Sequence, residues 1–533
     1  MSSFEQTPFV HPFLGQDAAA LLCARAAARG AHPFLIWAPF EGPQKTWSYA
    51  GFENDVARVA GGLLKRGIGA RDRVLVHFEN CPETLIARFA CMWIGAIAVL
   101  SNAALAGPEL RDVVEASGAR AAITQPKFAA ILAQHCPHLE WIAVSETDAG
   151  EAPTMAHLQA RADSFAALMD EPAPPRAPDP TADALMLFTT GTTSRAKGVV
   201  WTHANVLWGG KFGALQNGVR ADDVYQIFLP LFHVVGFSWS FLPALYAGAT
   251  VVLQPRFSGS RFWPVALEHG ATLSSQVKFT TNVLSQQPVP DHSLRQFTTA
   301  LHSPKVAQHF RVREIGGWGM TEMVAEGIVG DPWSEFPGRS IGRPSLGYRI
   351  FIEDDDGRPV APGGTGHLYV GGVRGLSIFR EYDNNPSANA AAFDAQGRFI
   401  TGDRVVLLEN GLIEFGDRTK DVIKVGGEGV SGGEVEAAIA TLDGVREVAV
   451  VGRPDDMLGE VAVAFVILTA DRQADAETMR ARIAEHCRAS LARFKVPREV
   501  HIVEDFPRIG FGKIAKVKIR EQLVASLRAG EKA

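Results

Sequence analysis

A polar loop that directly follows a buried strand is the feature that most constrains this chain. Residues 185–199 read LMLFTTGTTSRAKGV, and the first four are apolar, which is typical of the end of a buried strand. The loop after them carries glycines, hydroxyls and a lysine, so backbone N–H groups and side-chain donors can converge on an anion. It is not a Walker A loop, because Lys197 is followed by Gly-Val. The stretch predicts phosphate and nucleotide binding, and an ordinary polar surface loop is the alternative for this stretch alone.

Residues 47–168 predict an alternation of helices and strands. The segment 52–66 has helical spacing, and short apolar strands are expected at 73–77, 119–124 and 141–144. Repeated units of this kind predict a parallel sheet with helices on its faces, that is, an α/β fold. Five prolines in the next stretch, DEPAPPRAPDPTAD at 170–183, indicate a linker that leads to the polar loop.

Length and composition limit the function classes. A chain of 533 residues is too long for one core, so several domains are expected. A net charge of −6, without basic runs interleaved with aromatic residues, argues against a nucleic-acid partner. Five cysteines without CxxC spacing indicate neither a disulfide framework nor a zinc site, which suits a reducing cytoplasm.

The N-terminus and the uncharged stretch 89–107 bear on targeting. MSSFEQTPFVHP lacks a basic region and an apolar core, so no signal peptide is predicted. Gly95, Ser101 and Asn102 interrupt 89–107, which favours a buried helix and an inner strand at 96–100 over a membrane span.

Further motifs follow the polar loop. Helix formation is expected from Trp201, with Asn205 as its cap, and a strand at 225–229 leads into PLFHVVGF. EIGGWGMTE, TGD, DRTKD, KVGGE and PRIGFGKI stand at 314–322, 401–403, 417–421, 424–428 and 507–514. Taken singly, these motifs have ordinary alternatives: a packed core histidine, a glycine turn with a charged end, or a solvated lysine. Strands at 448–452, 461–468 and 500–503 and a helix at 476–489 predict a small C-terminal domain.

The order of these motifs resembles the adenylate-forming superfamily, which includes acyl-CoA synthetases, firefly luciferase and the adenylation domains of peptide synthetases. The usual phosphate loop is close to TSGTTGxPKG, and this chain departs from it at Thr190, Ser194 and Ala196. The last two changes alter loop flexibility. Another departure is at 299–304, where TALHSP replaces a GGAPL-like turn that helps to bracket adenine.

The resemblance implies a large N-terminal adenylation domain at 1–419, built of parallel-sheet α/β subdomains, and a small mobile α+β domain at 420–533. Lys420 corresponds to the hinge between them. The implied ATP-binding residues are Thr189, Thr190, Gly191, Thr192, Thr193, Lys197, Gly317, Trp318, Gly319, Asp403 and Arg418.

The resemblance also implies the reacting groups. Lys513 matches the catalytic lysine, Thr321 would bond the α-phosphate, and Glu322 would hold Mg²⁺ with the nucleotide phosphates. Lys424, Gly426 and Gly427 match the region that approaches the site for coenzyme A. The acyl pocket would be lined by His233, Val234, Gly236, Phe237, Trp239 and Lys278, although a solvent-facing Lys278 is the simpler interpretation.

The implied activity is ATP-dependent conversion of a carboxylic acid to an acyl-adenylate, followed by thioester formation with CoA. Trp239 and Trp318 favour a compact aryl or short-to-medium acyl acid, and His233 stands where amino-acid-activating relatives carry an aspartate. Loading of a separate carrier protein, a luciferase-like oxygenation and a non-catalytic nucleotide-binding relative are the alternatives. The sequence leaves self-association into a homodimer open.

Overall fold

Two large sheets and one small sheet organise the chain in a computed structural model. The structure describes residues 10–146, 162–189, 197–300, 302–331, 340–418, 422–469, 476–509 and 513–530. The α/β class is confirmed. The predicted boundary near residue 419 stays a prediction, since 419–421 lie outside the described residues.

The first sheet carries the strand that precedes the polar loop. Among the described residues it has eight strands, in the order Glu381–Tyr382, Lys197–Thr202, Asp183–Thr189, Ile97–Leu100, Arg73–His77, Ala121–Thr124, Trp141–Val144, Ala162–Ser164. From Asp183–Thr189 onward in this order all pairs are parallel, as predicted, whereas the first two strands are antiparallel additions.

The second sheet is longer and mixed. In the described part of the chain it has thirteen strands, in the order Arg349–Glu353, Thr365–Gly371, Phe399–Leu407, Ile413–Arg418, Ser340–Pro344, Ile328–Val329, Arg313–Trp318, Gln296–Thr299, Leu273–Ser275, Val224–Ile227, Thr250–Leu253, Pro33–Trp37, Lys45–Ser48. Its parallel half runs from Arg313–Trp318 to Pro33–Trp37. The glycine-rich stretch EIGGWG therefore lies where the parallel half meets the antiparallel half.

The C-terminal sheet is built only from residues after 421. Its strands are Glu428–Ser431, Val422–Val425, Gly459–Leu468 and Val445–Asp455, with Glu499–Ile502 pairing in parallel with Gly459–Leu468. A separate hairpin joins Arg508–Ile509 to Lys513–Ile514. These bounds agree with the strands predicted at 448–452, 461–468 and 500–503.

Helices cover the sheets. They span Ala18–Arg29, Tyr49–Lys65, Pro82–Ile94, Gly107–Ser117, Pro126–His135, His203–Gln216, Val234–Gly236, Leu242–Ala247, Gly259–Glu268, Lys278–Leu284, Pro304–Phe310, Pro386–Ala392, Gly432–Ala440, Ala476–Ser490 and Lys516–Gly530. Short turns add Phe165–Leu168, Phe237–Phe241, Thr321–Met323 and Arg493–Lys495. Pro82–Ile94 is buried on nearly all sides, because most of its residues are apolar and the buried Arg88 donates to the Leu231 carbonyl oxygen at 2.7 Å.

The uncharged stretch 89–107 is therefore the end of a buried helix followed by the inner strand Ile97–Leu100, as predicted. In the part of the chain that is described, no helix has the length and apolarity that a membrane crossing requires. All five cysteines are free thiols.

One local prediction is wrong. Trp201 does not begin a helix, because it lies in the strand Lys197–Thr202, which pairs with Asp183–Thr189. The helix begins at His203, and its cap is Thr202, whose Oγ accepts the N–H of Asn205 at 3.1 Å. Asn205 instead accepts the N–H of Thr202 at 3.0 Å, the reciprocal half of a capping box.

Candidate active site

The polar loop connects Asp183–Thr189 to Lys197–Thr202, two neighbouring strands near one edge of the first sheet. Thr189 and Lys197 are cross-strand partners, so the loop is the connection of a hairpin. Thr190, Gly191, Thr192 and Thr193 lie outside the described residues. Lys197 extends over the ring of Tyr382, with 4.9 Å between its Nζ and the ring centroid.

Tyr382 connects this lysine to Glu322. The edge strand Glu381–Tyr382 pairs with Lys197–Thr202, which brings Tyr382 beside Val199. Its hydroxyl donates a hydrogen bond to Glu322 Oε1 at 2.8 Å. Burial, together with the neighbouring carboxylate of Glu322, raises the pKa of Tyr382 above its ordinary value. Successive contacts thus connect the Lys197 ammonium, the neutral Tyr382 phenol and the buried Glu322 carboxylate at the edge of the first sheet.

Glu322 stands on a short turn, Thr321–Met323, just after the glycine-rich strand. The carbonyl of Thr321 accepts the indole N–H of Trp201 at 2.9 Å, which ties this turn to the first sheet. No group of three or more His, Cys, Asp or Glu that could hold a metal occurs within the described ranges. A cation here would therefore take one carboxylate from the protein and its other ligands from phosphate and water, as Mg²⁺ commonly does.

Trp318, the last residue of the strand Arg313–Trp318, contacts Asp403. The indole N–H of Trp318 donates to Asp403 Oδ2 at 2.9 Å, and both side chains are buried. Asp403 is also the cross-strand partner of Arg418, whose side chain lies outside the described atoms. The motifs TGD and DRTKD are thus brought together by neighbouring strands.

The two faces of the glycine-rich strand meet different neighbours. A Cβ at Gly316 would lie 2.9 Å from the backbone nitrogen of His302, on the face toward the altered stretch 299–304. On the opposite face, a Cβ at Gly319 would lie 2.7 Å from Cζ2 of Trp239, and one at Gly317 would lie 3.3 Å from Cγ of Glu326. Glycine is required here because these neighbours approach the backbone too closely for a side chain.

The altered stretch 299–304 is anchored to the same strand. The Ser303 N–H donates to Glu314 Oε2 at 2.6 Å, and His302 Nδ1 lies 3.1 Å from the carbonyl oxygen of Glu314. Burial raises the pKa of Glu314 to about 7. How adenine is bracketed on this side stays an open prediction, and Leu301 lies outside the described residues.

The predicted acyl-pocket residues divide into buried and exposed groups. Phe237 and Trp239 are buried in the turn Phe237–Phe241, and Val234 is half-buried beside them. Gly236 packs on the chain, since a Cβ there would lie 2.3 Å from the carbonyl oxygen of Pro230. Lys278 is exposed at the start of its helix, which agrees with the solvent-facing interpretation and not with a buried pocket wall.

His233 contacts the C-terminal domain and is not a packed core residue. Its Nε2 lies 2.9 Å from both carboxylate oxygens of Glu428, and Asn102 Nδ2 donates to Glu428 Oε2 at 3.0 Å. Burial alone would raise the pKa of Glu428, but His233, Lys424 and Asn102 outweigh it and hold this pKa below its ordinary value. An ionised carboxylate of the small domain therefore lies beside the acyl-pocket motif.

A tight turn presents Glu428. Gly426 and Gly427 connect Val422–Val425 to Glu428–Ser431 with φ angles of 61° and 97°. Positive φ at two successive positions is the requirement of a two-residue hairpin turn, and glycine meets it without steric cost. Lys424 precedes this turn and is exposed.

Besides Arg418 and the loop residues, Lys513 and Lys420 cannot be located by their side chains. Lys513 lies in the strand Lys513–Ile514, and its side chain is outside the described atoms, as is the whole of Lys420. Their roles stay predictions. Conversely, sequence reasoning missed Tyr382, Asn102 and Glu428. Glu428 could have been suspected from its position after Gly426-Gly427, whereas only strand pairing and domain contact reveal the other two.

Comparisons with known proteins agree with this geometry. The family profile described as AMP-binding enzyme matches residues 22–382, and that of the AMP-binding enzyme C-terminal domain matches residues 434–513. A crotonobetaine/carnitine–CoA ligase of Salmonella choleraesuis is 34% identical over 511 residues, covering 93% of this chain and 97% of the relative.

Solved structures have a similar fold. The o-succinylbenzoate CoA synthetase of Bacillus subtilis, as a double mutant bound to a product analogue, has a TM-score of 0.81 at 26% identity, covering 95% of this chain and 98% of that one. The same enzyme in complex with AMP has a TM-score of 0.66 over 95% and 98% of the two chains. A benzoate CoA ligase of Burkholderia xenovorans has a TM-score of 0.68 at 25% identity, over 95% and 100%.

Proposed function

This chain belongs to the AMP-binding enzyme family, and from that premise we propose that it is an AMP-forming acid–thiol ligase acting on a compact carboxylic acid. The proposal rests on the contacts that connect Lys197, Tyr382 and Glu322 beside the polar hairpin, together with the Trp318–Asp403 hydrogen bond. Lys197 offers a cation for the phosphates. Glu322 offers a buried carboxylate for a metal ion, and Asp403 offers a second carboxylate for the ribose.

The first half-reaction activates the acid. A carboxylate resists nucleophiles because it is already anionic, so its oxygen attacks the α-phosphorus of ATP and pyrophosphate leaves. The residues assigned to the triphosphate are the hydroxyls of 189–193 and Lys197. Lys513 and Thr321 would stabilise charge on the α-phosphate as it develops.

Mg²⁺ and the nucleoside have separate sites in this proposal. Glu322 fits a magnesium ligand, because its buried carboxylate is an oxygen donor of the type that hard cations prefer. When bound, Mg²⁺ would draw negative charge from the phosphate oxygens. Asp403 would accept the ribose hydroxyls, with Arg418 on the neighbouring strand and the Trp318 ring against adenine.

In the second half-reaction the sulfur of CoA attacks the acyl carbonyl carbon, and AMP leaves with the electrons of the broken C–O bond. Lys424, Gly426 and Gly427 are the residues assigned to this step. The contact of Glu428 with His233 supports the assignment, because it holds the Gly426-Gly427 turn against the acyl-pocket motif.

The proposed substrate class depends on how closely Trp239 packs against one face of the glycine-rich strand. Trp239 packs against Gly319 so closely that a long acyl tail cannot pass between them. The ring nitrogen of Trp239 is buried and has no hydrogen-bond partner within the described part of the chain, so it can donate to a polar group of a short acid. At the position of an aspartate counter-charge this chain has His233, and the nearby Glu428 carboxylate is already bonded to that imidazole and to Asn102, which disfavours the α-ammonium of an amino acid.

A substrate panel tests the proposal. Each acid is incubated with ATP and Mg²⁺, with and without CoA, and the release of AMP and pyrophosphate and the formation of thioester are measured. The panel contains benzoate, o-succinylbenzoate, crotonobetaine, carnitine, octanoate, palmitate and phenylalanine. We expect the highest kcat/KM for one of the compact acids. Lys513→Ala serves as the control and should slow acyl-adenylate formation by about 10²-fold or more, while ATP still binds.

The panel also separates the alternatives. Pyrophosphate release that no CoA converts to thioester would favour loading of a separate carrier protein or a luciferase-like second step. ATP binding without pyrophosphate release from any acid would favour a non-catalytic relative. A preference for palmitate or phenylalanine would contradict the substrate class.

A further inference from the structure

A buried ion cluster joins the two domains away from the acyl pocket. Lys495 Nζ lies 2.5 Å from Glu109 Oε1 and 2.6 Å from Glu434 Oε1. The lysine side chain is 3% exposed, and the two carboxylate side chains are 10% and 21% exposed. Glu109 belongs to the N-terminal helix Gly107–Ser117, whereas Glu434 and Lys495 both belong to the C-terminal domain. One ammonium is thus shared by carboxylates of two domains.

Glu109 makes a second bond across the same interface. Its Oε2 accepts the N–H of Ala106 at 2.8 Å, which caps its own helix, and also the N–H of Ala492 at 2.8 Å. Burial alone would lower the pKa of Lys495, but Glu434 and Glu109 outweigh it and hold this pKa above its ordinary value. The ammonium therefore stays charged while it is buried.

The ion cluster forms in the same orientation as the contact at the acyl-pocket motif. Asn102, which binds Glu428, precedes the helix of Glu109, so both contacts use one stretch of the N-terminal domain. A third contact runs from Asn282 Nδ2 to the Asp456 carbonyl at 3.2 Å. In this orientation the chain is more similar to the product-analogue complex of the Bacillus synthetase than to its AMP complex.

Of the two ion pairs of Lys495, only the one with Glu109 depends on domain orientation. Lys495 and Glu434 remain together however the C-terminal domain turns, whereas Lys495 and Glu109 must separate when it rotates away. Separation loses a charge-assisted hydrogen bond and its Coulombic attraction, while rehydration of the two charges returns only part of that free energy, so the bond favours the orientation in which it forms. An exposed pair would contribute much less.

Resting on the two-step reaction proposed above, we propose that the pair formed by Lys495 and Glu109 positions the C-terminal domain for the thioester-forming step, with Glu434 as a partner of Lys495 inside that domain. Lys495 and Glu109 are positioning residues, because neither touches the nucleotide or acyl sites. The cluster selects the orientation that brings the Gly426-Gly427 turn to His233, and it is not needed for adenylation.

Two matched variants test this. Glu109→Gln keeps an oxygen for the N–H groups of Ala106 and Ala492 but turns an amide toward the ammonium, so it removes the ion pair between the domains. Glu434→Gln removes the other carboxylate of the same lysine and leaves the Lys495–Glu109 pair. Lys495→Arg keeps both pairs and is the conservative variant.

The half-reactions are measured separately. Pyrophosphate release without CoA reports adenylation, and single-turnover reaction of preformed acyl-adenylate with CoA reports thioester formation. For Glu109→Gln we expect adenylation within about twofold of the native enzyme and thioester formation slowed by about 10- to 100-fold. Loss of one charged hydrogen bond would lower the population of the orientation in which it forms by about that factor. Glu434→Gln and Lys495→Arg should keep thioester formation within a few-fold. Equal loss of both steps in Glu109→Gln, or equal effects of the two glutamine variants, would overturn the proposal.

Domain orientation is measured independently of catalysis. Nitroxide labels are attached at Asp112→Cys and Glu477→Cys, in a chain whose partly exposed Cys23 is replaced by serine. Double electron–electron resonance then gives the distribution of distances between the two domains. Glu109→Gln should lose the dominant distance of the unliganded protein, and Glu434→Gln should retain it. Because no substrate is needed, an unchanged distribution in Glu109→Gln would refute the ion cluster even if the reaction differs from the one proposed.

Discussion

At the scale of single residues, buried carboxylates divide into those that have charged partners and those that do not. Glu109 and Glu428 each meet a cation or an imidazole across the domain interface. Glu326 is fully buried behind the glycine-rich strand, and a single side-chain bond reaches it, from Asn217 Nδ2 to Oε1 at 3.0 Å. Burial raises the pKa of Glu326 to about 7. This group therefore couples stability to pH.

The coupling predicts the effect of Glu326→Gln. The folded protein binds the proton more tightly than the unfolded chain, whose carboxyl has the ordinary value of 4.5. The stabilisation is complete below pH 4.5 and is lost as pH rises to about 7, by at most about 3 kcal/mol. Gln stays neutral and can still accept from Asn217, so the variant should be more stable than the native protein at pH 8 and equal to it near pH 4.5. Urea unfolding at both pH values checks this, with exposed Asp356→Asn as the control; the same difference at both pH values would contradict it.

At the scale of elements, we expect the turn Phe237–Phe241 and the glycine-rich strand together to set the depth of the proposed acyl pocket. Trp239 fills the space that a side chain at position 319 would occupy, so a change in the helical turn acts on the opposite strand. Pocket depth is thus a property of two packed elements and not of either motif alone.

Shortening Trp239 should lengthen the accepted substrate. Trp239→Ala removes the indole that faces Gly319, and we expect kcat/KM for octanoate to rise relative to benzoate by at least about 10-fold, at a stability cost of about 3–5 kcal/mol. Trp263→Ala is the matched control, because Trp263 is equally buried but packs in a separate cluster against His292. It should cost similar stability without changing the substrate ratio. A ratio that is unchanged in Trp239→Ala would contradict this view of the pocket.

At the scale of the whole molecule, the proposed reaction would use two orientations of the C-terminal domain, and the described one has Glu428 at His233. We expect exchange between the orientations to come from the connection near residue 420, because the described residues before and after it form separate cores. The hinge and the ion cluster therefore act on the same equilibrium from different positions.

Stiffening the hinge should separate the two half-reactions. Lys420→Pro fixes φ at that residue, so we expect thioester formation to be impaired while adenylation is spared, unless the variant is trapped in one orientation outright. Half-reaction assays check this, with Lys420→Ala as the control that removes the side chain but leaves φ free. Equal loss of both steps in the proline variant would count against a hinge confined to this residue.

The sequence by itself determined the elements and the order of the motifs. The parallel strands from 73 to 144, the buried helix before Ile97–Leu100, the hairpin strand before the polar loop and the C-terminal strands were all predictable, because hydrophobic periodicity and glycine positions act over a few residues. The start of the helix at His203 was mispredicted, since strand pairing held Trp201 in the sheet.

Only the tertiary structure decided which distant groups meet. Tyr382 reaches Glu322 through an edge strand, Trp318 binds Asp403 across 85 residues, and Lys495 binds Glu109 across 386 residues. No local pattern encodes such contacts, because they depend on sheet order, on strand register and on how the small domain lies against the large one. The prediction of a phosphate loop thus needed only its own residues, whereas the contacts that position Glu322 and the C-terminal domain required the fold.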